Sequence, residues 1–153
     1  MNGRSAVIAW PADPPVRAMV EELDRYFHAL YPAESNHLLD IDTLCQPEMR
    51  FFAVFEGAKA LAIGGCWLKD GYAEVKRLYV RPAARGLGLA KLIMRRIEDE
   101  ALTCNRRIAR LETGIHQPES LELYRRLGYA ECGPFGDYPA DDPNSVFMEK
   151  RLA

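Results

Sequence analysis

The feature that most restricts the fold is a series of three strand-like segments separated only by short turns. They are Arg50–Glu56, Ala60–Lys69 and Tyr72–Val80. Gly57 marks the first turn, and Asp70-Gly71 is a strong signal for a tight hairpin. Strands joined so closely pair in the antiparallel sense, so we expect the middle of the chain to form an antiparallel sheet.

Helical periodicity precedes this series of strands. A short apolar run, Ser5–Trp10, is followed by a proline-rich turn in which Asp13 is a candidate helix cap. Apolar residues then recur at helical spacing from Val16 to Leu30, and Pro32 ends the helix. The stretch that continues to about Gln46 is either irregular or holds one short helix. Asp42 is the candidate cap for that helix.

Strands and helices alternate after the central series. The pattern predicts a helix from Leu89 to about Thr103, a strand at Ala109–Thr113, a helix at Pro118–Leu127, and strands at Tyr129–Cys132 and Val146–Arg151. This order predicts an α/β fold with a mixed, mostly antiparallel central sheet and helices on both faces. With 153 residues and no linker-like stretch, residues 1–153 are expected to form a single domain.

Composition excludes several classes of function. The formal net charge of −2 argues against broad nucleic-acid binding. The longest apolar run, Ala60–Leu68, is too short to span a bilayer, and the N-terminus lacks a secretory pattern. The four cysteines and three histidines are scattered, so we expect no metal site. A cytoplasmic protein with reduced thiols fits these features.

A glycine-containing loop, Arg85–Ala90, lies between the third strand and the next helix. Helix N-termini present unpaired N–H groups and partial positive charge, which attract phosphate. Gly86 and Gly88 would let a pyrophosphate approach those groups, and Arg85 and Lys91 add positive charge. An ordinary strand–helix connection is the alternative, because so short a motif is weak evidence by itself.

Two longer stretches resemble motifs of the GCN5-related N-acetyltransferase (GNAT) family. Val80–Ala90 resembles its Arg/Gln-x-x-Gly-x-Gly/Ala signature, with Arg85, Gly88 and Ala90 at the defining positions. Residues 117–129 resemble its later Asn-x-x-Ala-x-x-Leu-Tyr-x-x-x-Gly-Phe pattern. Gln117 and Ser120 depart from the usual Asn and Ala there, which weakens the contacts attributed to that Asn.

The resemblance implies an acetyltransferase fold that uses acetyl-coenzyme A (acetyl-CoA) as co-substrate. It implies direct transfer of the acetyl group to a primary amine of a small molecule, with a homodimer as a further expectation. A non-catalytic acetyl-CoA-binding module and a protein (lysine or N-terminal) acetyltransferase are the alternatives. By resemblance, the Val80 N–H binds the acetyl carbonyl, and the cofactor site comprises Leu78, Tyr79, Val80, Arg85, Gly86, Leu87, Gly88, Leu89, Ala90, Lys91, Gln117 and Tyr124.

The same resemblance assigns two catalytic candidates. Tyr124 would approach the sulfur of coenzyme A as general acid; the alternative is a tyrosine that anchors its helix. Glu74 would be the general base; the alternative is an exposed strand glutamate paired with Lys76 or Arg77. Water chains serve as the base in other relatives.

Two polar segments are candidates for binding the acceptor. Asn36 and His37 lie in the segment after the first helix, and His37 is also a candidate base acting through water. Asp137 and Tyr138 lie in the proline- and glycine-rich loop 133–144 and would recognise a positively charged or amine-bearing acceptor. Polar loop residues without a chemical task are the alternative for both segments.

Overall fold

A mixed sheet of seven strands forms the centre of the computed structural model, which describes residues 4–36 and 39–153. The strands are β1 (Val7–Ile8), β2 (Met49–Glu56), β3 (Lys59–Lys69), β4 (Tyr72–Val80), β5 (Ile108–Gly114), β6 (Ala130–Glu131) and β7 (Ser145–Arg151). Their order is β1-β2-β3-β4-β5-β7-β6, and within the described residues only β4 and β5 pair in parallel. The predicted mixed, mostly antiparallel sheet is confirmed.

Helices cover both faces of the sheet. They are α1 (Pro14–Leu30), α2 (Ile41–Leu44), α3 (Leu89–Thr103) and α4 (Pro118–Arg126). Consecutive side chains of a strand point to opposite faces. Phe51 of β2 accordingly packs with the buried residues of α1 and α2, and Phe52 packs with those of α3 and α4. None of the helices in the described part of the chain is long and apolar enough to cross a membrane.

The predicted element boundaries differ from the structure at three places. Asp40, not Asp42, caps α2, because its carboxylate accepts the N–H of Thr43 at 2.8 Å while Asp42 lies inside the first turn. The strand expected at Tyr129–Cys132 is reduced to β6, and the run Ser5–Trp10 contributes only β1. Both short strands lie at the edges of the sheet, where one side lacks a pairing partner.

Candidate active site

The sheet opens between its two parallel strands. The pairs that join β4 to β5 are Ala73–Ala109 and Glu74–Arg110. Beyond them β4 stays paired with β3, and β5 stays paired with β7 as far as Gly114. The two halves of the sheet therefore diverge and leave a wedge between β4 and β5.

A β-bulge in β4 accompanies this divergence. Ile63 pairs with Tyr79 and Gly65 with Lys76, so two residues of β4 stand opposite Gly64 alone. One of the two, Arg77, has φ 56°, a left-handed conformation that costs a non-glycine residue roughly 1–2 kcal/mol. The buried Arg77 guanidinium donates to Asp24 Oδ1 at 2.9 Å and to the Leu39 carbonyl. The bulge is thus anchored on α1.

Removing the carboxylate of Asp24 should destabilise the fold. Asp24→Ala would leave the Arg77 guanidinium, whose side chain is 3% exposed, without its anionic partner. Because Asp24 itself is 28% exposed, we expect a loss of about 2–3 kcal/mol in the free energy of unfolding, below the range for a fully buried pair. Urea unfolding measures it. Asp99→Ala, at an exposed position of α3, is the control and should cost less than about 0.5 kcal/mol. Equal losses in the two variants would contradict the anchoring role.

The free edge of β4 presents alternate backbone amides to the wedge. The Arg81 N–H donates to the Leu61 carbonyl of β3 at 2.9 Å. Since successive amides of a regular strand point to opposite edges, the N–H of Val80 points away from β3, and that of Tyr79 points towards it. The Tyr79 hydroxyl donates to Glu22 of α1, and burial together with this bond raises the pKa of Tyr79 to about 12. Tyr79 therefore offers the wedge neither its amide nor its hydroxyl.

An open cavity lies in the wedge. Five residues predicted for the site line it together: Asn36, Leu78, Gln117, Tyr124 and Tyr138. Tyr31, Lys76 and Glu112 also line it, and sequence reasoning did not select them for the site.

Tyr124 of α4 is buried but faces the cavity. Its side chain is in the core beside Tyr129, with the ring centroids 6.0 Å apart. The structure records no hydrogen bond for the Tyr124 hydroxyl among the described residues, yet none of their fully buried side-chain polar atoms lacks a partner. The hydroxyl must therefore reach the cavity. Burial raises the pKa of Tyr124, which keeps the phenol protonated as a donor.

Gln117 is held in place by the end of α1. Its Oε1 accepts the Tyr31 hydroxyl at 3.2 Å and the Gly114 N–H at 3.3 Å. The Tyr31 oxygen in turn accepts the His116 N–H at 3.1 Å, and the two rings stack at 5.3 Å. These contacts join α1 to the β5–α4 connection on one wall of the cavity.

The buried Glu74 and Lys76 form a polar cluster with the half-buried Tyr138 beside the cavity. Lys76 Nζ lies 2.8 Å from Glu74 Oε2 and donates to the Tyr138 hydroxyl at 2.5 Å, and that hydroxyl donates to Glu74 Oε2. Glu74 is only 3% exposed, so the alternative of an exposed glutamate is wrong. The pairing with Lys76 that this alternative also predicted is present. Burial lowers the pKa of Lys76, and the adjacent carboxylate opposes that shift. Opposite charges two residues apart on one strand were the signal that could have identified Lys76.

The segment after α1 contacts the 133–144 loop beside the cavity. Ser35 Oγ donates to Asp142 Oδ1 at 2.9 Å and accepts Asn144 Nδ2 at 3.1 Å. Asn36 Nδ2 donates to the Tyr31 carbonyl at 3.2 Å. Asp137 is exposed and is not among the lining residues, and His37 lies outside the described residues.

The glycine loop lies just beyond the open edge of β4. Gly86 (φ 83°) and Gly88 (φ 76°) are both left-handed, and Gly88 is the N-cap of α3. The first helical bond runs from the Leu92 N–H to the Gly88 carbonyl at 3.2 Å, so the N–H groups of residues 89–91 have no partner within the helix.

The side chains around these amides suit an anion. Arg85, Leu87 and Lys91 are exposed, the first turn of α3 contains no acidic residue, and the Leu89 side chain is buried in the core. Backbone amides with nearby positive charge fit the pyrophosphate of acetyl-CoA.

Two sequence comparisons identify proteins that this chain resembles. Residues 16–129 match the model of the acetyltransferase (GNAT) family. The chain is 45% identical over 144 residues to a protein of Azospirillum brasilense named IAA acetyltransferase, an alignment that covers 93% of this chain and 94% of that one.

Solved structures show the same fold. A crystal structure described as an acyl-CoA N-acyltransferase from Klebsiella pneumoniae superposes with a TM-score of 0.82 at 30% identity over 99% of both chains. An aminoglycoside 6′-N-acetyltransferase complexed with coenzyme A superposes with a TM-score of 0.74 at 15% identity over 97% of both chains, which shows the fold alone. The chain belongs to the GNAT family and is an acetyl-CoA-dependent acetyltransferase.

Proposed function

We propose that this acetyltransferase transfers the acetyl group to a primary amine of a small molecule by direct transfer. The observation that carries the proposal is that one cavity is lined by residues from both predicted sites. Leu78 and Tyr124 belong to the predicted cofactor site, and Asn36 and Tyr138 to the predicted acceptor site. An amine bound from the acceptor side would meet a thioester held along the open edge of β4. Direct transfer requires this proximity.

Contacts between two segments beside the cavity favour a small acceptor over an extended peptide. Ser35 is hydrogen-bonded to both Asp142 and Asn144, so the segment after α1 and the 133–144 loop are tied together. A peptide substrate needs a groove that is open at both ends. Breaking these part-buried hydrogen bonds to admit a peptide would cost free energy.

Three groups of this chain would act in the transfer step, and others would hold the cofactor. Acetyl-CoA supplies the acetyl group as a thioester. The Val80 N–H, which points into the wedge, would donate to the acetyl carbonyl oxygen and stabilise the charge that develops there. Tyr124 would donate its hydroxyl proton to the departing sulfur, and Glu74 would accept the proton lost by the amine. The amides of residues 89–91, with Arg85 and Lys91, would hold the pyrophosphate.

The proposal is tested by measuring release of free coenzyme A from acetyl-CoA. The screen covers amino acids, polyamines, aminoglycosides and peptides, and it includes IAA because of the name of the Azospirillum relative. We expect turnover with one class of small amine and none with peptides. Turnover with peptides alone would favour the protein acetyltransferase, and binding of acetyl-CoA without turnover on any acceptor would favour the non-catalytic module.

Tyr124→Phe should lower turnover far more than it weakens cofactor binding. The phenyl ring keeps the packing against Tyr129, while the hydroxyl that faces the cavity is lost. We expect kcat to fall roughly a hundredfold, a typical contribution of a general acid, with little change in the acetyl-CoA dissociation constant. Steady-state kinetics and thermal shift measure the two quantities. An unchanged kcat would remove Tyr124 from the mechanism.

A further inference from the structure

The buried position of Glu74 separates it from the cavity where an acceptor would bind. Glu74 is 3% exposed and is not among the residues that line the cavity, whereas Tyr138 and Lys76 are. The Tyr138 hydroxyl donates to Glu74 Oε2, so Tyr138, which lines the cavity, connects the cavity to the carboxylate. A base in this position cannot take a proton from an amine by direct contact.

We propose that Tyr138 is a catalytic residue that relays the acceptor's proton to Glu74, an inference that rests on the proposed function. The ammonium N–H bond breaks as a new O–H bond forms on Tyr138. The original Tyr138 O–H bond breaks in the same step, and its proton converts the Glu74 carboxylate into a carboxylic acid. The amine becomes neutral and nucleophilic, Tyr138 ends as it began, and the proton on Glu74 leaves to solvent through the same hydroxyl before the next cycle.

The surroundings of Tyr138 suit such a relay. A phenol hydroxyl is both a donor and an acceptor, and Tyr138 acts as both, since it donates to Glu74 and accepts from Lys76 Nζ. Burial and the Glu74 carboxylate raise the pKa of Tyr138, so the phenol remains protonated between proton transfers. Rings of Phe135 and Phe147 pack edge-on against Tyr138 at 5.5 and 5.6 Å and fix its orientation.

Two small nucleophiles distinguish a relay from a structural role. Methylamine is almost entirely an ammonium ion near neutral pH, whereas hydroxylamine is almost entirely neutral. Only methylamine needs a base before it can attack. Both are small enough to enter the cavity without specific recognition, and coenzyme A release is measured with each after subtraction of the uncatalysed reaction.

Tyr138→Phe keeps the ring packing and removes the relaying oxygen. We expect kcat/KM for methylamine to fall about a hundredfold, the usual size of a general-base contribution, and that for hydroxylamine to change less than about threefold. Glu74→Gln should show the same selectivity. Tyr72→Phe is the matched control, because Tyr72 also packs on Phe135 but does not line the cavity, and both rates should stay unchanged.

Two results would overturn the relay. Equal losses with methylamine and hydroxylamine in Tyr138→Phe would make Tyr138 a positioning residue and leave the proposed function standing. An absence of wild-type turnover with these probes and with every amine of the screen would overturn the proposed function and the relay together.

Discussion

The melting temperature (Tm) of the Gly88→Glu variant should not rise when acetyl-CoA is added. A glutamate at the N-cap of α3 would place its bulk and negative charge against the N–H groups that are expected to bind the pyrophosphate. For the wild type, ligand at a hundred times its dissociation constant stabilises the fold by about 2.7 kcal/mol, which corresponds to roughly 8 °C in a chain of this size. Catalysis should be lost with binding. Thermal shift with and without acetyl-CoA measures the effect.

Gly71→Glu is the control for the backbone strain in this experiment. Gly71 has φ 85° against 76° for Gly88, and a Cβ at either position meets no atom within 4 Å. Both variants should therefore lose a similar amount of unfolding free energy, roughly 1–2 kcal/mol, because a non-glycine residue is strained in the left-handed conformation. Gly71 lies in the β3–β4 turn, at the end of these strands opposite Val80, so its variant should keep the full ligand-induced shift. An equal shift in the two variants would place the pyrophosphate elsewhere.

Local patterns in the sequence were sufficient to predict most of the fold. Asp70-Gly71 predicts the β3–β4 hairpin because a tight turn needs a left-handed residue, and Gly71 has φ 85°. The spacing of Leu89, Ile93 and Ile97 predicts α3 because residues four apart share one helical face, and all three are buried. These features depend on neighbours within a few residues along the chain.

The site depends on contacts that no local pattern encodes. Tyr138 reaches Glu74 across 64 residues of sequence, and the burial of Glu74 follows from where the 133–144 loop closes. The left-handed conformation of Arg77 and the bulge around it could not be predicted from the sequence either, because arginine has no preference for that conformation. The sequence predicted which segments meet at the site, and the tertiary fold determines which of their atoms face the cavity.

Gly114→Ala should destabilise the protein by about 3 kcal/mol or more. A Cβ at Gly114 would lie 1.7 Å from the Tyr31 hydroxyl oxygen and 2.0 Å from Cζ, so the buried Tyr31 ring would have to leave its position. Overpacking of this kind costs typically 1–3 kcal/mol. The hydrogen bonds of Tyr31 with Gln117 and His116 would add about 1 kcal/mol each. Urea unfolding measures the loss, and turnover should fall as well because Tyr31 and Gln117 both line the cavity.

A double-mutant cycle identifies the Tyr31 ring as the cause of that loss. Tyr31→Ala removes the ring and should itself cost about 3 kcal/mol, as truncation of a buried aromatic residue does. In that background Gly114→Ala meets no ring, so it should cost less than about 1 kcal/mol, and the two losses should differ from additivity by about 2 kcal/mol or more. If Gly114→Ala lowered the free energy of unfolding equally in the wild type and in the Tyr31→Ala background, the close approach of α1 to β5 would not require glycine. The wall that joins Tyr31 to Gln117 would then owe its geometry to the hydrogen bonds alone.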